Sequence, residues 1–189
     1  MKNYLTICLV PFLVLSCAAT PTEQETENDT EVLLQQIPEN WHEVNFVQQD
    51  NISIREMIPQ DQEITSPEEV LSTQIIAGGI EVSAEQFIQN MGVSWAQVCP
   101  NMASKPAIET VENGYTTYFW LQACHSNHQP TMPKMTLFKA IQGKEDFYLI
   151  QKSWRGNLTQ ESVKFWTLQM KAMQLCDSSL TGEACLSDI

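Results

Sequence analysis

The chain has 189 residues, 43% of them hydrophobic, which suits one domain with a sizeable core and argues against a chain that is disordered throughout. Its 23 acidic and 10 basic residues give a formal net charge of −13 at pH 7. This balance argues against a nucleic-acid partner, because no basic patch is available to neutralise phosphates, and against electrostatic docking on an anionic membrane.

Residues 1–16 are typical of a lipoprotein signal peptide. A short positive start precedes an apolar run, Tyr4 to Leu15, that is too short to span a membrane. The run ends in Val-Leu-Ser-Cys at residues 14–17, which resembles the bacterial lipobox. The resemblance implies that Cys17 becomes the lipidated, palmitate-bearing first residue of the mature chain, and Ala18 after it implies the outer membrane, facing the periplasm. The alternative is ordinary cleavage after Ala18 or Ala19, which would give a freely secreted protein.

After this leader, the composition predicts two regions. Residues 17–36 comprise the lipidated cysteine and a polar, acidic run without periodicity, which indicates a flexible tether. Residues 37–189 are predicted to form a single domain, beginning at Ile37-Pro38, with Trp41 as the first large side chain available to a core.

The first half of this domain is predicted to hold strands and one helix. Residues 43–49 and 52–58 alternate apolar with polar side chains, which predicts an antiparallel pair. Residues 66–69 have helix-start chemistry, and we expect a single helical turn there, leading into a strand over 71–76. Ser83 and Gln86 form a capping box before apolar residues at helical spacing, which predicts a helix over 83–97.

The second half is predicted to hold two hairpins and a last helix. Asn113-Gly114 is a strong turn signal between residues 107–111 and 115–124. Residues 135–154 form two apolar-rich runs around a polar turn, and we expect this hairpin to provide half-buried strands in the middle of the sheet. A helix follows Asn157 or Thr159. The fold class is therefore α+β, an antiparallel sheet of six or seven strands with two helices covering one face.

Four cysteines lie beyond the anchor: Cys99, Cys124, Cys176 and Cys185. An even number in an exported chain indicates two disulfides, for which three connectivities are possible. We expect the local pairs Cys99–Cys124 and Cys176–Cys185, the second of which would hold the C-terminal tail. No pair has the close spacing of a zinc site, and the loop from Cys124 to His128 could bind metal only if Cys124 were a free thiolate, so no metal is expected.

The motifs indicate no enzyme and no cofactor. Serine-hydrolase, zinc-protease and penicillin-binding signatures are missing from the sequence. An alternative is a hydrolase site assembled in space, with His42 or His128 against a carboxylate and a hydroxyl.

A possible binding patch is formed by basic and aromatic residues on or beside the second hairpin: Lys139, Lys152, Trp154 and Arg155. On an exposed sheet face they could bind an anionic ligand or a partner protein. The alternative is that these cations pair with acidic residues on neighbouring strands.

The chain resembles an uncharacterised group of bacterial envelope lipoproteins. The resemblance rests on Ile37-Pro38-x-x-Trp41, residues 136–143, residues 147–152 and the terminal Cys176 and Cys185. The Pro-x-x-Trp start, followed by strands and two helices, is also similar to the Mog1/PsbP-like fold, which includes small non-catalytic envelope proteins. The function implied is a non-catalytic envelope lipoprotein that binds a protein or a ligand in the periplasm. The alternative is a periplasmic immunity or inhibitor protein.

Overall fold

The structure is a computed structural model, and it describes residues 31–81, 83–124 and 133–177. Strands and two α-helices follow one another along these residues, with one 3₁₀ turn before the first α-helix. In chain order they are β1 (Glu31–Leu34), β2 (Trp41–Gln49), β3 (Ile52–Pro59), β4 (Glu69–Ile76), the 3₁₀ turn (Gly79–Glu81), α1 (Ala84–Val98), β5 (Met102–Glu112), β6 (Tyr115–Cys124), β7 (Met135–Gln142), β8 (Phe147–Trp154), α2 (Gln160–Ala172) and β9 (Gln174–Asp177).

Seven strands form one antiparallel sheet in the order β2-β3-β4-β8-β7-β6-β5, and β1 pairs with β9 in a separate two-stranded ribbon. The predicted hairpins are β2–β3, β5–β6 and β7–β8, and β8 is the central strand. The α+β class and the central position of the second hairpin are therefore confirmed. Strand β5 begins at Met102, five residues before the predicted start at residue 107. It includes Pro106, which has no backbone N–H to donate, and this is tolerated because β5 lies at the edge of the sheet.

The two helices lie on opposite faces of the sheet. Leu137 of β7 packs with Trp166 of α2, whereas Phe138, the next residue, packs with Trp95 of α1. Successive side chains of a strand point to opposite faces, so these contacts place a helix on each side. The expectation that both helices cover one face is wrong.

Coverage on both sides explains the burial of the central hairpin. In β7 every residue from Met135 to Ile141 is buried, and in β8 the first four residues are buried in succession. The half-buried strands expected from the sequence are therefore buried on both faces. Continuous apolar runs are characteristic of such strands, and the first four residues of β8, Phe-Tyr-Leu-Ile, form one.

Both helices begin where the sequence predicts. The Ser83 hydroxyl accepts a hydrogen bond from the Gln86 backbone N–H at the start of α1, and the Thr159 hydroxyl accepts one from the Ser162 N–H at the start of α2. The end of α1 is joined to β6 by the predicted disulfide between Cys99 and Cys124.

The segment before β4 differs from its prediction. No helical turn forms over residues 66–69; instead, the side-chain oxygen of Gln62 accepts hydrogen bonds from the backbone N–H groups of Glu68 and Glu69. These bonds satisfy the donors that a helical turn would have left open, and the chain enters β4 directly at Glu69.

The domain begins earlier than residue 37. Glu31–Leu34, assigned from composition to the flexible tether, forms β1 and pairs in register with Gln174–Asp177 of β9. Leu33 packs against the core beneath α2, and the pairing partner comes from the other end of the described chain. Local composition could not indicate this strand, because its stabilising contacts are all remote. Cys176 in β9 is disulfide-bonded, and its predicted partner Cys185 lies outside the described residues.

Carboxylates attach the ribbon to the central hairpin. Lys144 in the β7–β8 turn pairs with Asp177, and its backbone N–H donates to Glu31 Oε1 at 2.6 Å. Tyr115 is buried beside both acids, and burial, with the two negative charges, raises the pKa of its hydroxyl to about 12.

Candidate functional site

The predicted binding patch is not an exposed surface. Lys139, Lys152 and Trp154 are each at most 1% exposed, because α2 covers this face of β7 and β8. Only Arg155, just beyond β8, is partly exposed. The interpretation of these four residues as one exposed patch for an anionic ligand is wrong, because three of them are buried. The alternative, pairing with acidic residues of other strands, is what the structure contains for Lys139 and Lys152.

Lys152 lies among three tryptophans. Its ammonium is 4.2 Å from the ring centroid of Trp154, 5.0 Å from that of Trp166 and 5.1 Å from that of Trp41. It also donates to Glu69 Oε2 at 2.7 Å. Burial lowers the pKa of Lys152 to about 8, while the Glu69 carboxylate acts in the opposite direction, as the negative faces of the indole rings do.

Lys139 holds the end of α2. Its ammonium donates to the backbone oxygens of Met173, at 2.6 Å, and Lys171, at 3.3 Å, and it pairs with Glu112 at 2.6 Å. A cation at this position satisfies carbonyls that have no partner within the helix and complements the negative end of the helix dipole. Burial lowers the pKa of Lys139, and the Glu112 carboxylate opposes that shift. This lysine stabilises the fold rather than presenting a charge to a ligand.

An open pocket of about 370 Å³ lies beside the three tryptophans. We call it the acidic pocket, because its lining contains two carboxylates and no basic residue. It is lined by Pro38, Asn40, Trp41, Pro59, Asp61, Gln62, Glu69, Ser162, Phe165 and Trp166. Trp41, Trp166 and Glu69 line this pocket and also contact Lys152, and the two tryptophans are only 9% and 2% exposed. The charge that is accessible here is opposite in sign to the one predicted.

A second cavity, of about 280 Å³, separates β1 from the outer strands of the sheet. Its lining is mixed, with Phe46, Thr73 and Arg55 from the sheet and Gln35 from the segment after β1. Arg55 pairs with Glu43 at 3.0 Å and lies 5.8 Å from the ring centroid of Phe46, so its guanidinium is already engaged within the chain.

The two edges of the sheet differ in chemistry. Strand β5 carries Lys105 and Pro106 and has a register irregularity beside them, all of which discourage pairing with another strand. Strand β2 also has a register irregularity, between Glu43 and Asn45, but it contains neither lysine nor proline, and residues 45–49 are exposed on both faces, including Phe46 and Val47. Among the described residues, no strand pairs with the outer edge of β2.

Those residues considered for catalysis and metal binding that the structure describes do not come together in one site. His42 is in β2, its Nδ1 has no hydrogen-bond partner among the described residues, and neither cavity is lined by it. His128 lies outside the described residues. Cys124 is in the disulfide with Cys99, so it cannot act as the thiolate ligand that the metal alternative requires.

The described part of the chain contains no group of three or more histidine, cysteine, aspartate or glutamate side chains arranged to hold a metal ion. It also contains no helix long and apolar enough to cross a membrane.

Sequence reasoning missed the acidic pocket. Glu69 was assigned to helix capping, and Asp61 and Phe165 were not singled out. The pocket combines side chains from β2, the β3–β4 connection and α2, which no local pattern links. The only signal was the count of five tryptophans, a large number for a chain of this length. In comparisons with family models and with curated proteins, no match to this chain was found.

Proposed function

We propose that the chain is a non-catalytic bacterial envelope lipoprotein, anchored through Cys17 to the outer membrane, and that its domain is a protein-binding module in the periplasm. The leader, the lipobox resemblance and the local disulfide between Cys99 and Cys124 support an exported protein, because disulfides persist in oxidising compartments. The likeness to envelope lipoproteins and to the Mog1/PsbP-like fold remains a prediction.

The observation that carries the binding role is the β2 edge, the outer side of Trp41–Gln49. An unprotected edge strand offers a row of backbone donors and acceptors to an extended segment of another protein, and the exposed side chains beside it supply specificity. Phe46 and Val47 are 52% and 43% exposed on opposite faces of this strand, so a bound segment would contact an apolar side chain on each face. The contrast with the β5 edge, where Lys105 and Pro106 discourage pairing, supports this proposal, and residues 45–49, beyond the register irregularity of β2, are the part of the edge that it concerns.

The anchor is tested by Cys17→Ala. We expect the wild-type protein to fractionate with outer membranes and to carry an acyl mass, and the variant to be released from the membrane. Unchanged fractionation of the variant, with no acyl group on the wild type, would contradict the anchor.

The binding role is tested by photocrosslinking in cells. A photoreactive phenylalanine analogue at Val47 probes the β2 edge, and the same analogue at Val111, which is 70% exposed on β5, is the matched control. We expect one dominant crosslinked protein from position 47 that is missing from position 111.

Three results would contradict the binding role. These are identical products from both positions, no product above background, or an internal crosslink to residues 1–30 alone. The last would mean that the chain covers its own edge.

The second candidate function is an immunity or inhibitor protein directed at a basic toxin or hydrolase. The acidic pocket favours it, because such a partner presents lysine and arginine side chains. The identity of the protein crosslinked at position 47 distinguishes the two: a structural envelope component supports the first function, and a basic secreted enzyme supports the second.

A further inference from the structure

We propose that the acidic pocket binds the cationic side chain of a lysine or arginine from a protein partner. The proposal rests on the proposed function only in assigning that cation to a protein. The affinity of the pocket for an organic cation is a property of the domain alone and can be measured separately.

The fold already contains the same recognition chemistry. Lys152 is held by the rings of Trp41 and Trp166 and by Glu69 Oε2, at 2.7 Å. An ammonium over an indole face gains electrostatic attraction that grows as water is removed. These three side chains also line the open pocket, but Trp41 and Trp166 are only 9% and 2% exposed, so the attraction for a second cation must come mainly from Asp61 and must exceed the repulsion from Lys152.

The outer side of the pocket adds groups that Lys152 does not use. Asp61 is exposed at the pocket, and its carboxylate has no hydrogen bond or ion pair within the described residues. Phe165 is 46% exposed beside Trp166, with the ring centroids 5.6 Å apart. The pocket therefore offers the unpaired carboxylate of Asp61 and the exposed ring of Phe165, while the charge of Glu69 is already compensated by Lys152.

The lining favours an organic cation over a metal ion. Divalent cations of the calcium and magnesium type require six or more oxygen ligands, and the pocket supplies only two carboxylates, with no group of three or more histidine, cysteine, aspartate or glutamate side chains among the described residues that could hold such an ion. A volume of about 370 Å³ is large enough for the end of a lysine or arginine side chain with some of its water. The net charge of −13 also raises the local concentration of cationic partners around the chain.

The position of the pocket connects it with the β2 edge. Trp41 is the first residue of β2 and Pro59 is the last residue of β3, so the pocket lies at one end of the edge strand. A partner segment paired along β2 would pass the pocket at that end. We infer that the bound segment carries a basic residue there.

The experiment is a titration of the ¹⁵N-labelled domain, from residue 31 to the C-terminus, with Nα-acetyl-lysinamide. The readout is the chemical shift of the Trp41 and Trp166 indole N–H signals. We expect saturable shifts with this probe and none with Nα-acetyl-norleucinamide, which has the same shape without the charge. Asp61→Asn should weaken the apparent affinity roughly three- to fivefold, since an exposed ion pair contributes little more than that.

The matched control is Glu63→Gln, which removes the same charge from an exposed residue two positions away that does not line the pocket. We expect its affinity for the probe to stay within twofold of wild type.

Equal losses of affinity in the Asp61 and Glu63 variants would mean that only overall charge matters, and would overturn the proposal. Equal shifts with the norleucine analogue, or no shift at all, would overturn it as well. A partner crosslinked at position 47 together with a failed titration would leave the proposed function standing and this inference refuted. A successful titration without a partner crosslinked at position 47 would leave the affinity of the pocket for an organic cation standing and the proposed function refuted.

Discussion

Two regions of the same antiparallel sheet have opposite environments. The central strands β4, β8, β7 and β6 lie between α1 on one face and α2 with the β1–β9 ribbon on the other. The base of the β2–β3 hairpin, with Trp41 and Ile58, is buried, but its turn end extends past both layers, and residues 45–49 of β2 are exposed on both faces. The pairing of strands is continuous across the two regions, so backbone hydrogen bonding does not distinguish them.

Coverage by helices is what separates the stabilising region from the region that we propose binds a partner. In the centre even lysines are buried, and each has an acidic partner: Glu69 for Lys152 and Glu112 for Lys139. In the outer hairpin, apolar side chains such as Phe46 remain exposed to solvent. The centre therefore carries the stability of the domain, and the outer hairpin together with the acidic pocket carries the surface available to partners.

The largest expected effect comes from truncating a buried side chain in the centre. Leu149 in β8 is fully buried, and Leu149→Ala should lower the free energy of unfolding by about 3–4 kcal/mol, through lost burial and the cavity that remains. Val47→Ala in the outer hairpin should change it by less than about 0.5 kcal/mol, as expected at an exposed position. Urea unfolding of both variants measures the difference, and equal losses would show that the outer hairpin belongs to the stabilising core.

Removing the disulfide should have the next effect. Cys99 and Cys124 are separated by 25 residues, and a loop of that length corresponds to about 3.5 kcal/mol of stabilisation in the chain-entropy treatment, an upper value because reduced chains retain structure. The double variant Cys99→Ala/Cys124→Ala should lose about 2–3.5 kcal/mol by urea unfolding. Hydrogen exchange should increase first at the end of α1 and along β5–β6, and uniform exchange across all strands would contradict a local role for this bond.

The smallest effect is a pH dependence from Lys152. The folded pKa of about 8 lies below the ordinary value of 10.5, so between these values the unfolded chain binds more protons than the folded one. Stability relative to a Lys152→Met variant should therefore rise with pH above about 8, by at most about 1.4 kcal/mol per pH unit.

This dependence should be measured by urea unfolding between pH 7 and pH 9.5. That window separates the effect of Lys152 from the effect of Tyr115. Because the pKa of Tyr115 is raised, its contribution to stability is lost as pH rises from 10 towards 12, which is the opposite direction. A wild-type curve parallel to that of Lys152→Met would contradict the lowered pKa.

The sequence by itself determined the local elements. The capping box at Ser83, the Asn113-Gly114 turn and the apolar runs around residues 143–146 act within a few residues, so helix α1 and the hairpins could be predicted. The local disulfide between Cys99 and Cys124 could be predicted as well, because cysteine number and spacing made a short loop the natural expectation.

Only the tertiary structure decided which surfaces remain open. Strand β1 depends on pairing with β9, from the far end of the described chain. The burial of Lys152 depends on α2 lying over β8, and the acidic pocket exists only where β2, the β3–β4 connection and α2 meet. The hydrophobic pattern indicates which side chains of a helix or strand prefer to be buried. Contacts between distant segments determine which face of the sheet another element covers, and no local sequence signal contains that information.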